Sequence, residues 1–496
     1  MNNYFYDMIP AEELAQLKYI PTVPEFVTWI TEKWADRPAV SDQNNSYTYA
    51  EMSKRIARRR AYLNKLGLQK GDKVAILELT SINAIEMFLA AISAGYVAIN
   101  LPAQLPAQAV VGCCMRFGVK VLAVRDEFKD RANGVPCQVI SSASMADEEA
   151  PVASVDKEDP AAIFFTGGTT GAPKGAVLPH RALMRGSFNG CFAPGSQLDH
   201  KKYICFLPLS HVFGLVKSTM SVFYTGAEWY AAEDIKATIG KIPMIQPTTL
   251  VLVPGLCDVL MGLVNMYGPQ FLGGKLKQIV AGAANVPPRL ITAFENVGVS
   301  FVFGYGMTEG ANLTTGNADV DTHPTSVGKV YDQQEIKIVD GEIWIHGDNV
   351  FQGYYGDPEN TKATLTDDGW IKTGDLGYID EDGFVYITGR IKNLIILANG
   401  ENVSPESVEE PFYKCDALKD CLAKEEEING VPAISLEILP RVEAFKDKSD
   451  EDIYAFFKKV VEDVNAQQPT THRVAKFTIR KEDFKRTGSL KIARNQ

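Results

Sequence analysis

The stretch "TGGTTGAPKG" (residues 166–175) follows the apolar run "AAIFF" (161–165) and sets four glycines, three threonines, one proline and one lysine in ten positions. A strand that feeds a glycine-rich turn lets backbone N–H groups and hydroxyls close around phosphate oxygens, because glycine reaches dihedrals and close approaches barred to other residues. Lys174 adds a positive charge. Taken alone, so short a pattern is equally compatible with a tight surface turn. The common nucleotide loop GxxxxGK[ST] is excluded, because it needs the lysine directly after its last glycine and a hydroxyl after that. Here Ala172 and Pro173 separate Gly171 from Lys174, and Gly175 follows.

Any anion held by this loop must be met by local groups. The chain has 50 basic against 61 acidic residues and a net charge of −11, which argues against a broad nucleic-acid or anionic-membrane surface. At 496 residues, 46% apolar and 22% charged, it is expected to fold as a globular protein of two or more domains. The N-terminal "MNNYFYDMIPAEELAQ" has no basic region followed by an apolar stretch, and no long apolar run occurs elsewhere. A cytoplasmic protein without an integral membrane segment is expected. The eight cysteines form no CxxC pair and no zinc-like cluster, so reduced, mostly buried thiols are expected.

Outward from the loop, residues 47–101 alternate helical spacing ("YAEMSKRIARRRAYLNKLG"), a short apolar run ("KVAILEL") and an apolar helix leading into another strand ("AIEMFLAAISAGYVAINL"), an α/β pattern. The polar stretch 141–160 reads as a surface connection, and a second α/β set runs from there to about 330. Residues 330–390, with "GEIWIHG" and "GFVYITGR", read as β-rich. Beyond "GRIKNLIILANG" charged helix alternates with short strand, which places a domain boundary near 390. The expectation is an α/β protein. Its large domain, 1–390, holds two α/β sheet subdomains and a β-rich subdomain, and its small mobile α+β domain spans 391–496.

The loop resembles the signature [ST]-[SG]-G-[ST]-[ST]-G-x-P-K-G of the adenylate-forming superfamily, which includes acyl-CoA synthetases, luciferases and nonribosomal adenylation domains. Further segments match in the family's order: "LPLSHVFG" (207–214), "IVAGAANVPPRL" (279–290), "GYGMTEG" (304–310), "GWIKTGDLGYIDEDGFVYITGRIKNLIILANGENVSPESVE" (369–409) and "RTGSLKIAR" (486–494). The resemblance covers nearly the whole chain and is closest to bacterial acyl-CoA synthetases. It implies a two-step reaction, in which a carboxylate and ATP give an acyl-adenylate and a thiol then takes the acyl group.

The roles implied follow the motifs. Thr166, Gly168, Thr169, Thr170, Gly171 and Lys174 would hold the β- and γ-phosphates, Gly167 lacking the hydroxyl that many relatives have. Glu309 would bind Mg²⁺, and Thr308 would hydrogen-bond the α-phosphate. Tyr305, between Gly304 and Gly306, would lie against adenine, although on its own it reads as a core tyrosine. Gly282, Ala283 and Ala284 would line the other face. Phe303 replaces a polar residue of many relatives, so base recognition would rest on backbone carbonyls. Asp375 would accept from the ribose hydroxyls, and Arg390 would support ribose or phosphate; a surface ion pair is the alternative for both. Lys491 is the candidate catalytic lysine, in a terminal pattern where Lys485 and Leu490 replace the family's proline and glycine.

For the second step, Lys392 would be the hinge of the C-terminal domain, and Gly400 would leave space for a phosphopantetheine thiol. Coenzyme A is the expected acceptor and an acyl carrier protein its rival, with the enzyme a monomer or homodimer. His211 would lie beside the substrate carboxylate and the thiol path, as a substrate-site residue; alone it reads as a core histidine. Amino-acid-activating relatives carry an aspartate after this motif for the substrate ammonium, and "HVFGLVKSTM" has no acidic residue. A medium- or long-chain fatty acid is the expected substrate, on an acyl path opened by Gly282, Ala283, Ala284, Gly304 and Gly310. Aryl or bile-acid-like acids are the alternatives. A non-catalytic nucleotide-binding protein and an adenylate-oxidising enzyme are the remaining readings.

Overall fold

The computed structural model describes residues 4–166, 174–397, 401–428, 430–446, 448–486, 492 and 494. They divide into two compact units, Met1–Ile336 with Ile345–Lys372, and Lys337–Trp344 with Thr373–Gln496. The architecture is mixed α/β, as the alternation of periods predicts.

The larger unit carries two seven-stranded sheets. One runs in the order Gly353–Tyr354, Lys174–Pro179, Pro160–Thr166, Val97–Leu101, Lys73–Leu77, Val119–Val124, Gln138–Ser141. Its strands are parallel from Pro160–Thr166 onward, and the first two join antiparallel to that core. The parallel strands read as continuous apolar runs because both faces are covered; Val97–Leu101 is buried throughout. The helix Ile82–Ser93 begins at Ser81, whose hydroxyl accepts from the Ala84 N–H, and is buried almost all round. The preceding helix, Tyr49–Asn64, starts with a reciprocal capping box between Thr48 and Glu51. It docks on Ile82–Ser93 through Arg55 and Arg59, whose Nε atoms reach the buried Glu86 carboxylate at 2.6 and 2.9 Å.

The second sheet has the order Ser300–Phe303, Gln278–Ala281, Thr249–Leu252, Lys202–Cys205, Glu228–Ala231, Pro38–Ser41, Ser46–Thr48, and is parallel except for the final pair. Its core includes Ile204, Leu250, Ile279 and Phe301, with Phe294 packed against them. The C-terminal ends of Gln278–Ala281 and Ser300–Phe303 lead directly into Gly282 and Gly304, at the carboxyl edge of the sheet, the edge on which open α/β sheets bind ligands.

The β-rich stretch contributes four strands, Gln334–Val339, Glu342–Gly347, Ile371–Ile379 and Val385–Arg390. The smaller unit has its own core beneath a three-stranded sheet, in which Val431–Pro440 pairs with Leu418–Ile428 and Lys476–Ile479. Leu436, Ile438 and Phe457 are buried there, the last from the helix Asp450–Gln467. The eight cysteines are free thiols, five of them buried. Among the described residues, no helix is long and apolar enough to cross a membrane.

Candidate active site

The quoted stretch begins and ends in paired strands: Thr166 and Lys174 face each other in the antiparallel register of Pro160–Thr166 and Lys174–Pro179. Gly168, Thr169, Thr170 and Gly171, assigned to phosphate, lie outside the described residues. At the hairpin's exit, a Cβ on Gly175 would stand 2.4 Å from the Phe117 ring, so this glycine serves close packing of strand on helix. The two-residue strand Gly353–Tyr354 pairs with Lys174–Pro179, Tyr354 opposite Ala176. That pairing puts Tyr354 within reach of two residues distant in sequence.

The Lys174 Nζ lies 4.9 Å from the centre of the Tyr354 ring and donates to Asn360 Oδ1 at 2.5 Å. The Tyr354 hydroxyl donates to Glu309 Oε1 at 2.6 Å. One tyrosine thus joins the loop's cation to a carboxylate that is itself buried. Burial, and next the charge of Glu309, push the Tyr354 phenol well above its ordinary range, so it remains a donor at any working pH. Asn360 is fixed in turn. Asp357 caps the helix Pro358–Thr364 by accepting from the Asn360 N–H, and its other oxygen accepts from the Asn360 amide at 2.8 Å. These hydrogen bonds hold the Asp357 carboxyl below its usual range.

Thr308 and Glu309 sit in a single 3₁₀ turn, Thr308–Gly310, and the Phe351 N–H donates to the Glu309 carbonyl at 2.9 Å. The chain then passes through Ala311 and Asn312, both at positive φ, 47° and 93°. This return brings 312–315 against the "GYG" segment: a Cβ on Gly306 would fall 1.2 Å from the Asn312 carbonyl oxygen, and one on Gly304, 2.2 Å from that of Thr315. What these glycines admit is the chain's own backbone. Tyr305 is buried between them, its carbonyl accepting from the N–H groups of Thr314 and Thr315.

Of the segment assigned to the other adenine face, Ala283 takes a left-handed φ of 66°, and a Cβ on Gly282 would meet the Phe213 ring at 2.9 Å. Phe213 in turn follows His211, whose Nδ1 accepts from the Phe213 N–H at 3.3 Å. His211 is half-buried, and its Nδ1 is committed to a local turn. The residues after it, Phe213–Met220, form a π-helix, a rare form that recurs at functional sites. Its widened turn is pinned by Thr219 and Ser221, whose hydroxyls donate five residues back to the Gly214 and Val216 carbonyls. Phe303 is buried at the end of its strand, exchanging backbone hydrogen bonds with Asn317.

In the smaller unit, Asp375 and Arg390 are direct partners in the register of Ile371–Ile379 with Val385–Arg390, and Arg390 Nε lies 3.2 Å from Asp375 Oδ1. The Asp375 side chain is the more enclosed of the two. Lys392 is exposed in the short turn Ile391–Asn393. Gly400, Leu490 and Lys491 lie outside the described residues, but the neighbouring Arg494 is anchored. Its two Nη atoms each reach a Glu409 oxygen at 2.8 Å, and Glu406 is 3.0 Å away. Burial pushes Glu409 above its usual carboxylate range despite this pairing.

Tyr354, Asn360 and the Glu409–Arg494 pair were not singled out from sequence. For the first two a signal exists: "GYYGDPENT" (353–361) has an Asp-Pro helix start one glycine after two tyrosines.

Residues 27–355 match the model of the AMP-binding enzyme family, and 392–496 match that of the AMP-binding enzyme C-terminal domain. The chain belongs to the AMP-binding enzymes. Among its relatives, the 4-coumarate–CoA ligase-like protein 3 of Oryza sativa subsp. japonica is 30% identical over 432 residues, covering 74% of this chain and 71% of that one. Two solved structures share the fold. The anthranilate CoA ligase AuaEII, in complex with anthranoyl-AMP, matches with a TM-score of 0.85 at 20% identity, covering 97% of each chain. The o-succinylbenzoate coenzyme A synthetase of Bacillus subtilis, in complex with ATP and magnesium ion, matches at 0.78 and 23%, covering 95% of this chain and 98% of that one.

Proposed function

We propose that the chain is an AMP-forming carboxylic acid–CoA ligase. In the first step a carboxylate oxygen attacks the α-phosphorus of ATP, the bond to the bridging oxygen breaks, and its electron pair leaves with pyrophosphate. In the second, the thiol sulfur of coenzyme A attacks the acyl carbon, loses its proton, and AMP departs. The observation that carries this reading is the joining of Lys174 and Glu309 through Tyr354 at the exit of the glycine-rich hairpin. A triphosphate needs a cation and a metal-binding carboxylate held close together, because its transfer chemistry is mainly positioning and charge stabilisation.

On this reading Lys174 holds the outer phosphates with the 166–171 backbone, and Thr308 hydrogen-bonds the α-phosphate. Asp375 takes the ribose hydroxyls, and its ion pair with Arg390 fixes its orientation. Lys491 supplies charge to the attacking and bridging oxygens; Lys392 is the hinge between a 1–390 domain and a mobile 391–496 domain, and Gly400 and His211 flank the thiol path. Glu309 suits Mg²⁺: a hard oxygen donor, and no cluster of three or more His, Cys, Asp or Glu among the described residues to favour a protein-caged metal. When bound, the ion neutralises phosphate charge.

For the acid, anthranilate and o-succinylbenzoate in the names of two similar proteins, and the 4-coumarate–CoA ligase-like name of a third, support an aromatic acid over the medium- or long-chain fatty acid expected from sequence. The deciding experiment is acid-dependent ATP–pyrophosphate exchange over a broad carboxylic acid panel, followed by mass identification of thioesters formed with coenzyme A or a carrier protein. Exchange with at least one acid is expected. Absence of exchange with every acid, while Mg·ATP still binds, would leave a non-catalytic nucleotide-binding protein.

A further inference from the structure

A small cavity of ≈ 30 Å³ lies in the larger unit at the ends of Gln278–Ala281 and Ser300–Phe303. Its wall includes Ala281 and Gly304, which adjoin the site residues Gly282 and Tyr305, and much of the rest is apolar: Phe5, Phe192, Phe303, Leu313. One charged side chain lines it, Lys217, from the π-helix that follows His211.

Lys217 is almost wholly buried, and its ammonium donates to the Gly190 carbonyl. Among the described residues it forms no ion pair; the titratable groups that bear on it are the Cys191 thiol and Lys201. Burial pushes its pKa down to about 8, with Cys191 opposing and Lys201 adding to the shift, so most of the population is still an ammonium at neutral pH. Of the other polar side chains of the wall, Thr315 and Asn317 are engaged. The Thr315 hydroxyl donates to the Val327 carbonyl at 2.6 Å, and the Asn317 amide donates to the His323 and Ser326 carbonyls and accepts from the Asp319 N–H. A buried charge with one neutral acceptor is poorly compensated, and the usual remedy is an opposite charge. The cavity wall provides none.

Resting on the ligase reading above, we infer that Lys217 receives a second anionic group of the substrate, so that the preferred acid is a dicarboxylate or an aromatic acid bearing a second anion remote from the reacting carboxylate. The cation then works as a specificity determinant: an apolar acid of the same length leaves the ammonium unpaired, whereas a diacid restores a charge-assisted hydrogen bond. The π-helical turn fits this role, because it fixes Lys217 on the segment that begins at His211.

The test is acid-dependent ATP–pyrophosphate exchange with matched probes that differ only at the far end: butyrate and succinate, hexanoate and adipate, octanoate and suberate, phenylacetate and 4-carboxyphenylacetate. The wild-type chain is expected to favour at least one diacid over its partner by about 10-fold or more in kcat/KM, the size of one charged hydrogen bond. Lys217→Met should cut that ratio by about 10-fold, mostly through KM, and Lys217→Arg should retain part of it. Thermal melting of both variants separates binding from folding. If no diacid exceeds its partner while monoacids are activated, the inference fails and the ligase reading stands. Equal loss for both members of each pair in Lys217→Met also overturns it, by showing a structural role. Absence of exchange with every probe and every panel acid overturns the ligase reading itself.

Discussion

Replacing Tyr354 with phenylalanine isolates one hydroxyl in the proposed site. The ring remains, so its contact with the Lys174 ammonium at 4.9 Å and its edge packing on Phe351 at 5.1 Å are kept. What disappears is the 2.6 Å hydrogen bond to Glu309. A hydrogen bond to a charged group contributes about 1.5–3 kcal/mol. Because Glu309 is only 7% exposed, water replaces the lost donor poorly, which places the effect toward the upper part of that range. If the hydroxyl holds Glu309 where the nucleotide complex needs it, the loss is felt in adenylation. A barrier increase of this size lowers kcat/KM for exchange by about 10- to 150-fold. The assay is acid-dependent ATP–pyrophosphate exchange across a Mg²⁺ titration, with Glu309→Gln as the second arm of a double-mutant cycle. Glu309→Gln alone should cost more than Tyr354→Phe, and the double variant should cost little beyond Glu309→Gln, because the hydroxyl acts through the carboxylate. Exchange within about twofold of wild type in Tyr354→Phe, or fully additive losses in the double variant, would refute this positioning role.

Other consequences follow from buried charge and backbone geometry. Glu86→Ala strands the Arg55 and Arg59 guanidinium groups that it pairs at 2.6 and 2.9 Å, and should destabilise the larger unit by about 3–5 kcal/mol in urea unfolding; Glu86→Gln should cost less. His180, whose Nδ1 accepts from the Val23 N–H at 3.2 Å, is held neutral by burial, which lowers its pKa from 6.5 to about 4. Its folded pKa being the lower, the stability it contributes is complete above pH 6.5 and is lost as acid is added, by about 2 kcal/mol between pH 7 and pH 5, a difference that His180→Gln should remove from matched urea titrations. Gly306→Ala, with its Cβ 1.2 Å from the Asn312 carbonyl, should lose soluble expression or melt far below wild type, whereas a glycine serving only to admit a purine would leave folding intact and weaken ATP binding alone. Arg494→Ala leaves the buried Glu409 carboxylate without its cation, held by the Ala423 N–H, and should sharply increase proteolysis of the smaller unit, with Glu409→Gln in the same background restoring part of the resistance.

What was legible in the amino-acid order was local or contiguous. The parallel strands announce themselves as apolar runs and the helix Tyr49–Asn64 as a spaced pattern, while "GYGMTEG" marks Thr308 and Glu309 as one contiguous motif. Asp375 and Arg390 were both named from sequence, but that they are register partners follows only from the pairing of Ile371–Ile379 with Val385–Arg390. Tyr354 was missed because its place depends on a two-residue strand adding to the hairpin edge; "GYYGDPENT" marks the helix start beside it but not that pairing. The π-helix was missed for a related reason: its residues have ordinary helical character, and the widened turn is set by Thr219 and Ser221 reaching five residues back.

The glycines of the "GYG" segment show how backbone packing can use the space that a motif alone suggests for a ligand. A glycine beside a ligand-facing tyrosine suggests space for the ligand, yet the space is consumed by 312–315, which turns back through two positive-φ residues to cover the segment. The strain of that return has a structural consequence for chemistry. It closes the turn holding Glu309 against Phe351 and the Gly353–Tyr354 strand, so that the carboxylate meets the tyrosine hydroxyl, while the same strand's pairing with Lys174–Pro179 fixes where the ring meets the cation. Lys174 and Glu309, 135 positions apart in the sequence, are therefore positioned by one two-residue strand, and a change that loosens its pairing should impair both ends of the proposed phosphate site together.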